Sequence, residues 1–224
     1  MHTLALVASP TARQWGWGDE LGLAVGSQSG RLQKWSARSN RRYRAAFAER
    51  FPKLLAESDV WVMARTTTAA EIKSRAHAAM GEYGLSRFID VGGPTVAFGP
   101  SSDGVTYNLR NRVAVSVLAT FDFVVRMHRA IHGTWSESAD WQISPDSPPD
   151  GVYSDAASVF SALVNSAQVV GLVHGRLSVL THLRGDQGAD LADNVAGLLR
   201  DAANNGGAIE TVDKPARGAI YWER

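Results

Sequence analysis

Hydrophobic residues near the start of the chain are arranged as three short runs separated by polar and glycine-rich stretches. Residues 4–8 and 21–25 are apolar runs suited to buried strands. In residues 31–37, a strand would place Leu32, Lys34 and Ser36 on one face and Gln33, Trp35 and Ala37 on the other. Residues 27–30 have the serine and glycine content of a turn. The beginning of the chain therefore predicts an antiparallel meander of three strands.

The rest of the chain alternates between helical and strand patterns. Helices are predicted where apolar residues recur every three or four positions, and strands where short apolar or alternating runs are bounded by turn residues. Pro52 predicts a kink or break in the first helix. The predicted helices cover residues 41–57, 69–83, 112–131, 154–170 and 189–204, and the predicted strands cover residues 60–64, 139–144, 177–183 and 219–222.

The length of the chain favours a single domain. A chain of 224 residues with 45% hydrophobic content can bury one large core. Glycine and proline break the segment near residues 87–111 into short strands or loop. We therefore predict one α/β domain over residues 1–224, with an insertion near 87–111 that contains a hairpin.

The composition excludes several classes of protein. The chain has no cysteine, which removes disulfides, thiolate zinc ligands and a cysteine nucleophile. The longest apolar run, residues 113–121, is much shorter than the roughly 20 residues of a membrane-spanning helix. The first ten residues lack the order of basic, apolar and small residues found in a signal peptide. We expect a cytoplasmic protein without a membrane segment.

Basic residues are concentrated between residues 31 and 53, although the formal net charge of the chain is only +1. This strip contains eight basic side chains and one acid, Glu49, with aromatic residues between them. Such a strip suits a phosphate backbone, and tryptophan rings can stack on bases. A solvated helix face is the alternative interpretation. The predicted nucleic-acid-binding residues are Trp35, Arg38, Arg41, Arg42 and Arg44.

The order of predicted elements is that of the ribonuclease-H-like fold, in which a three-stranded antiparallel meander is followed by alternating helices and strands. The C-terminal third adds a sequence resemblance. The segment GADLADNVAGLLRDA, residues 188–202, follows the strand RLSVLTHLR. This segment resembles the C-terminal signature of a bacterial family known as domain of unknown function 3800, whose L-A-D-x-x-A-G core begins here at Leu191. The segment DWQISPDS, residues 140–147, resembles the family's earlier strand that ends in an aspartate, here Asp146.

This resemblance implies a divalent-metal-dependent nuclease or phosphotransferase, with Asp146 and Asp193 as catalytic residues and ligands of Mg²⁺ or Mn²⁺. Two-metal cleavage of a phosphodiester needs several carboxylates at one sheet edge. On a helical projection of the last helix, Asp193 lies at the border of the apolar face, from where it can reach a sheet edge. The alternative is that Asp193 is a solvated carboxylate near the helix N-terminus.

The first strand departs from the family pattern. Members usually carry an aspartate there, often within D-E-S-G, whereas Ala8 and Ser9 occupy the corresponding position in this chain. The predicted catalytic set is therefore incomplete, and whether the chain is an enzyme stays open.

Three hypotheses follow from this incomplete set. The first is a metal-dependent nuclease. The second is a catalytically degenerate ribonuclease-H-like protein that binds nucleic acid or a protein partner, for example in phage defence or a mobile element. The third is an unrelated α/β protein such as a small-molecule enzyme, and a fold without the meander would leave only this one. The sequence does not fix the oligomeric state.

One further carboxylate, Asp122, lies within the apolar sequence LATFDFVV. Arg126 follows at position i+4, so an ion pair along one helix face is the simplest prediction. The alternative is an additional metal carboxylate.

Overall fold

The computed structural model describes residues 2–9, 21–23, 25–26, 32–35, 41–92, 94–99, 106–132, 140–143, 153–179 and 187–223. These residues form a mixed α/β structure with small sheets. Where the sequence predicts one domain, the residue contacts form two compact units, Met1–Thr67 with Arg184–Arg224 and Thr68–Leu183.

The elements follow the predicted order after residue 40. The helices are α1 (Arg41–Ala56), α2 (Ala69–Glu82), α3 (Asn111–His132), α4 (Tyr153–Val169) and α5 (Gln187–Asn205), and a short 3₁₀ helix spans Leu85–Phe88. The strands are β1 (His2–Ala8), β2 (Trp61–Thr67), β3 (Ile89–Gly92), β4 (Thr95–Phe98), β5 (Tyr107–Arg110), β6 (Asp140–Ile143), β7 (Arg176–Val179) and β8 (Ile220–Glu223).

The first unit contains a three-stranded sheet in the order β1-β2-β8. Strand β1 runs antiparallel to β2, with Ala5 opposite Ala64, and β8 runs parallel to β2. Helix α5 packs on β1 and β2. Helix α1 buries one side chain per turn, because its apolar residues recur at four-residue intervals. These residues are Tyr43, Phe47, Phe51 and Leu55.

The predicted meander is wrong in the residues that the structure describes. Residues 21–23 are helical, residues 32–34 form no strand, and β1 pairs with β2. The N–H of Val25 donates to the carbonyl of Leu21 at 2.9 Å, a helical hydrogen bond that a strand would not make. In the next run, Leu32 and Trp35 are buried whereas the two residues between them are exposed, which is incompatible with alternation along a strand.

Pro52 lies inside α1 and does not end it. A proline removes the hydrogen bond to the carbonyl four residues earlier, here that of Ala48. Ala48 is exposed, so water can satisfy its carbonyl group. The helix therefore continues past the position where the sequence predicts a kink or break.

The second unit contains an antiparallel sheet in the order β3-β4-β5 and a parallel pair, β6-β7. The hairpin predicted within residues 87–111 is confirmed by the β3-β4 and β4-β5 pairings.

The predicted ion pair on α3 is also confirmed, because Arg126 Nε donates to Asp122 Oδ1 at 2.8 Å. The hydroxyl of Tyr83 donates to the same oxygen at 2.9 Å.

No helix in the described parts of the chain combines the length and the apolar character needed to cross a membrane.

Candidate functional site

Asp193 lies in the second turn of α5 and is half-buried. Its Oδ2 accepts a hydrogen bond from the main-chain N–H of Trp35 at 3.1 Å. A charged acceptor on a main-chain N–H makes a stronger bond than a neutral one. The carboxylate predicted as a metal ligand is therefore engaged in holding another part of the same unit.

Asn194, the next residue of the motif, is fully buried and uses both ends of its amide. Its Oδ1 accepts from the hydroxyl of Tyr43 at 2.9 Å, and its Nδ2 donates to the carbonyl of Gln33 at 2.9 Å. The same nitrogen donates to the carbonyl of Asp190 at 2.7 Å. The Tyr43 oxygen in turn accepts from the N–H of Gln33 at 3.2 Å. Both main-chain polar groups of Gln33 are thus bound by side chains.

The main chain of Trp35 is held in the same way. Its carbonyl accepts from Arg44 Nη2 at 2.6 Å, and its indole Nε1 donates to Asp201 Oδ2 at 2.8 Å. Arg44 also lies 3.5 Å from Asp201 and places its guanidinium over the Trp35 ring at 5.4 Å. We call this arrangement the segment clamp, which consists of Tyr43, Arg44, Asp193, Asn194 and Asp201 around residues 33–35.

Gly197 explains the close approach of the Trp35 ring to α5. A Cβ atom at this position would overlap the Cβ, Cγ and Cδ1 atoms of Trp35. The indole also meets Phe47 in an edge-to-face contact, with ring centroids 5.7 Å apart. The Asp, Asn and Gly of the L-A-D-N-V-A-G sequence thus all contact residues 33–35.

The clamp shifts the titration of its phenol. The pKa of Tyr43 is raised to about 12, first by burial and also by the nearby carboxylates of Asp190 and Asp193, against hydrogen bonds with Gln33 and Asn194 that lower it. The hydroxyl therefore keeps its proton at neutral pH and remains a donor to Asn194.

The described residues do not fit a two-metal site. They include no group of three or more histidine, aspartate or glutamate side chains that could hold a metal ion. Ala8, which the resemblance would align with an aspartate, lies opposite Trp61 in the sheet. Asp146 lies outside the described residues, so its predicted role as a ligand and the predicted use of Mg²⁺ or Mn²⁺ stay predictions.

The predicted nucleic-acid-binding residues occupy different environments. Arg41 and Arg42 are exposed at the start of α1, and Arg38 lies outside the described residues. Arg44 is engaged in the clamp, and Trp35 is 2% exposed, so its ring has no free face for a base. Of this set, only Arg41 and Arg42 are seen at the surface.

Other basic residues of the strip are exposed as well. Lys34 and Arg50 are exposed and, like Arg41 and Arg42, make no ion pair with any residue that the structure describes. Lys53 is also exposed and pairs with Glu49 at 3.4 Å. We call the basic face the five residues Lys34, Arg41, Arg42, Arg50 and Lys53.

Sequence reasoning missed Asn194 and Asp201. One signal was present, because Asn194 follows Leu191 by three residues and precedes Val195 on the apolar stripe of α5. A polar residue on an apolar stripe needs buried hydrogen-bond partners. The identity of those partners, more than 150 residues away in the chain, cannot be found from spacing.

No protein-family model matches the chain, and neither curated proteins nor solved structures show a significant match to it. The resemblance to domain of unknown function 3800 therefore stays a prediction.

Proposed function

We propose that this chain binds nucleic acid through the basic face and does not cut it. The observation that carries the proposal is the exposure of Arg41, Arg42 and Arg50 without a carboxylate partner among the described residues. An unpaired guanidinium offers a planar set of donors that matches phosphate oxygens. Neutralising phosphates also releases counterions, which gives binding without base-specific contacts.

The arrangement of the basic face along α1 supports this proposal. Arg50 and Lys53 follow Arg42 by eight and eleven residues, so the three side chains lie on one side of the helix. At about 1.5 Å per residue they cover roughly 16 Å along the helix axis. A stripe of this length can contact several phosphates of one backbone.

Two further observations favour binding over cleavage. Asp193 accepts the N–H of Trp35, and Ala8 replaces the carboxylate that the resemblance requires on the first strand. A metal-dependent nuclease is the competing function, but it depends on a ribonuclease-H-like fold whose predicted meander is absent from the described residues, and Asp146 is its remaining predicted ligand. The binding proposal does not depend on a ribonuclease-H-like fold, because it rests on α1 and residues 32–35 alone.

The test is a pair of charge-reversed variants measured by fluorescence anisotropy with a labelled DNA duplex of about 20 base pairs. One variant carries Arg42→Glu and Arg50→Glu. The matched control carries Arg110→Glu and Arg112→Glu, two exposed arginines of the second unit that change the net charge equally. Each variant places one glutamate in the first turn of a helix, at position 42 or 112, where the helix dipole stabilises a negative charge.

We expect the control to bind as the wild type does and the Arg42/Arg50 variant to bind at least about tenfold more weakly, because two phosphate contacts become repulsive. Circular dichroism of both variants verifies that they fold. Equal weakening by both variants would show only a general charge effect, and an unchanged affinity of the Arg42/Arg50 variant would refute the proposed surface.

A further inference from the structure

We infer that the basic face takes double-stranded rather than single-stranded nucleic acid, an inference that rests on the proposed function and specifies its ligand. Two properties of the described residues lead to it. The basic face lacks exposed aromatic rings, and its main chain is held in place by the segment clamp.

The aromatic residues of α1 and of residues 32–35 are all buried. Trp35 is 2% exposed, Tyr43 is 5% exposed, and Phe47 and Phe51 are fully buried. Phe47 and Phe51 stack on each other with centroids 5.1 Å apart. Proteins that bind single strands combine basic grooves with aromatic rings on which unpaired bases stack. Residues 32–35 and α1 provide the charges without those rings.

Arg44 does not replace the missing rings. A guanidinium can also stack on a base, but that of Arg44 lies over the Trp35 ring at 5.4 Å and bonds the Trp35 carbonyl at 2.6 Å. Arg41, Arg42 and Arg50 remain exposed on α1. They can contact phosphates, which both forms of nucleic acid carry.

Charge alone distinguishes the two forms of nucleic acid. A duplex carries one negative charge for each ~1.7 Å of its axis, and it releases more counterions per phosphate contact than a single strand does. A surface that binds by charge without stacking therefore gains more from a duplex.

The segment clamp adds a geometric reason. Lys34 is exposed between Gln33 and Trp35, and the main-chain N–H and C=O groups of both neighbours are bound by four different side chains. The Lys34 backbone is therefore fixed relative to α1, which supplies two of those side chains. A preorganised array of cations favours a ligand whose phosphates are already ordered, because less entropy is lost on binding.

Glu49 provides a variant that should strengthen binding. It is exposed on α1 and pairs with Lys53 at 3.4 Å. Its carboxylate therefore neutralises one cation of the basic face and also repels phosphate. Glu49→Gln removes the charge and keeps the size of the side chain. A gain of affinity in this variant cannot result from misfolding.

The experiment measures the Kd of the wild type and of Glu49→Gln for a labelled DNA duplex and for each of its single strands at the same length and salt. We expect the duplex to bind at least about tenfold more tightly than either strand, and Glu49→Gln to bind the duplex about three- to tenfold more tightly than the wild type does.

Single strands bound as tightly as the duplex, or more tightly, would overturn this inference and leave the proposed function standing. No binding to either form would refute the proposed function itself. An unchanged duplex affinity in Glu49→Gln would place the ligand away from this part of α1 and would also overturn the inference.

Discussion

Asp193 accepts a hydrogen bond from the main-chain N–H of Trp35, and this contact gives the carboxylate a role in stability. A metal ligand affects activity and, without its metal, is often a source of repulsion between carboxylates. A clamp residue stabilises the folded chain whether or not a metal is present. The two roles of Asp193 therefore predict opposite effects on unfolding when the side chain is removed.

Asp193→Ala should lower the free energy of unfolding by about 1–3 kcal/mol, because it leaves the Trp35 N–H without its acceptor. Asp193→Asn should cost less, since an amide oxygen can still accept this bond. Urea unfolding followed by tryptophan fluorescence measures both changes. A variant Asp193→Ala as stable as the wild type would contradict the clamp.

Gly197→Ala should destabilise the protein by about 1–3 kcal/mol or more, because the added Cβ overlaps the Trp35 ring and one of them must move. Gly81→Ala in α2 is the matched control. A Cβ at Gly81 meets nothing within 4 Å, so alanine should stabilise that helix by about 0.5–1 kcal/mol. The measurement is the unfolding midpoint in urea, and a stabilising Gly197→Ala substitution would show that Trp35 does not lie against α5.

At the residue scale, the sequence predicts where Asp193 lies but not what it binds. Helical periodicity places it at the border of the apolar face of α5, and it is indeed half-buried there. Its partner is 158 positions away and offers only a main-chain N–H, which no side-chain pattern reveals. The prediction of a metal ligand rests on a motif resemblance, whereas in the structure Asp193, Asn194 and Gly197 of that motif contact residues 33–35.

At the scale of elements, the long helices were predictable and the short early strands were not. Helices α1 to α5 carry several turns of apolar periodicity, and each begins and ends close to its predicted bounds. Residues 31–37 offer only one short alternating run. The observed burial of Leu32 and Trp35, with the two residues between them exposed, does not follow that alternation, and hydrogen bonds from α1 and α5 side chains hold residues 33–35 instead.

The hydroxyl of Tyr43 on α1 donates a hydrogen bond to Asn194 on α5, which makes the contact between these helices sensitive to high pH. The folded pKa is about 12 and the ordinary value is 10.0, so between these values the unfolded chain loses a proton that the folded chain keeps. Folding stability from this group is therefore complete below pH 10 and falls as the pH rises towards 12.

The corresponding prediction is that ultraviolet titration of tyrosinate shows a late-titrating group that is absent in Tyr43→Phe. Tyr83 also has a raised pKa, caused first by burial and then by Asp122, so the difference between wild type and Tyr43→Phe isolates Tyr43. If the tyrosinate absorbance lost in Tyr43→Phe instead titrates near the ordinary pKa of 10.0, the Tyr43 hydroxyl is not buried in the segment clamp.

At the scale of the whole molecule, the net charge of +1 conceals a basic face balanced by acids elsewhere in the chain. Binding through such a face is local, so its salt dependence counts the contacts made there rather than the total charge. The net charge alone would predict almost no attraction to nucleic acid.

The salt dependence of duplex binding should therefore have a measurable slope. Each phosphate contact contributes about −0.9 to the slope of log affinity against log salt. The basic face has four cations without an ion pair among the described residues, Lys34, Arg41, Arg42 and Arg50, which together predict a slope of roughly −3 to −4. The Arg42→Glu and Arg50→Glu variant should reduce the magnitude of this slope by about 2, whereas the Arg110/Arg112 control should leave it unchanged. A slope near zero in the wild type would exclude binding through phosphates.

The most direct test of binding without cleavage incubates a labelled DNA duplex with wild type or Asp193→Asn in the presence of Mn²⁺ and follows both retention and integrity of the DNA. We predict that both proteins retain the duplex and that neither cuts it, because the Asp193 carboxylate accepts the Trp35 N–H and, in our proposal, serves the segment clamp and not a metal ion. Metal-dependent cutting by the wild type that is lost in Asp193→Asn would contradict this account and would identify Asp193 as a catalytic metal ligand.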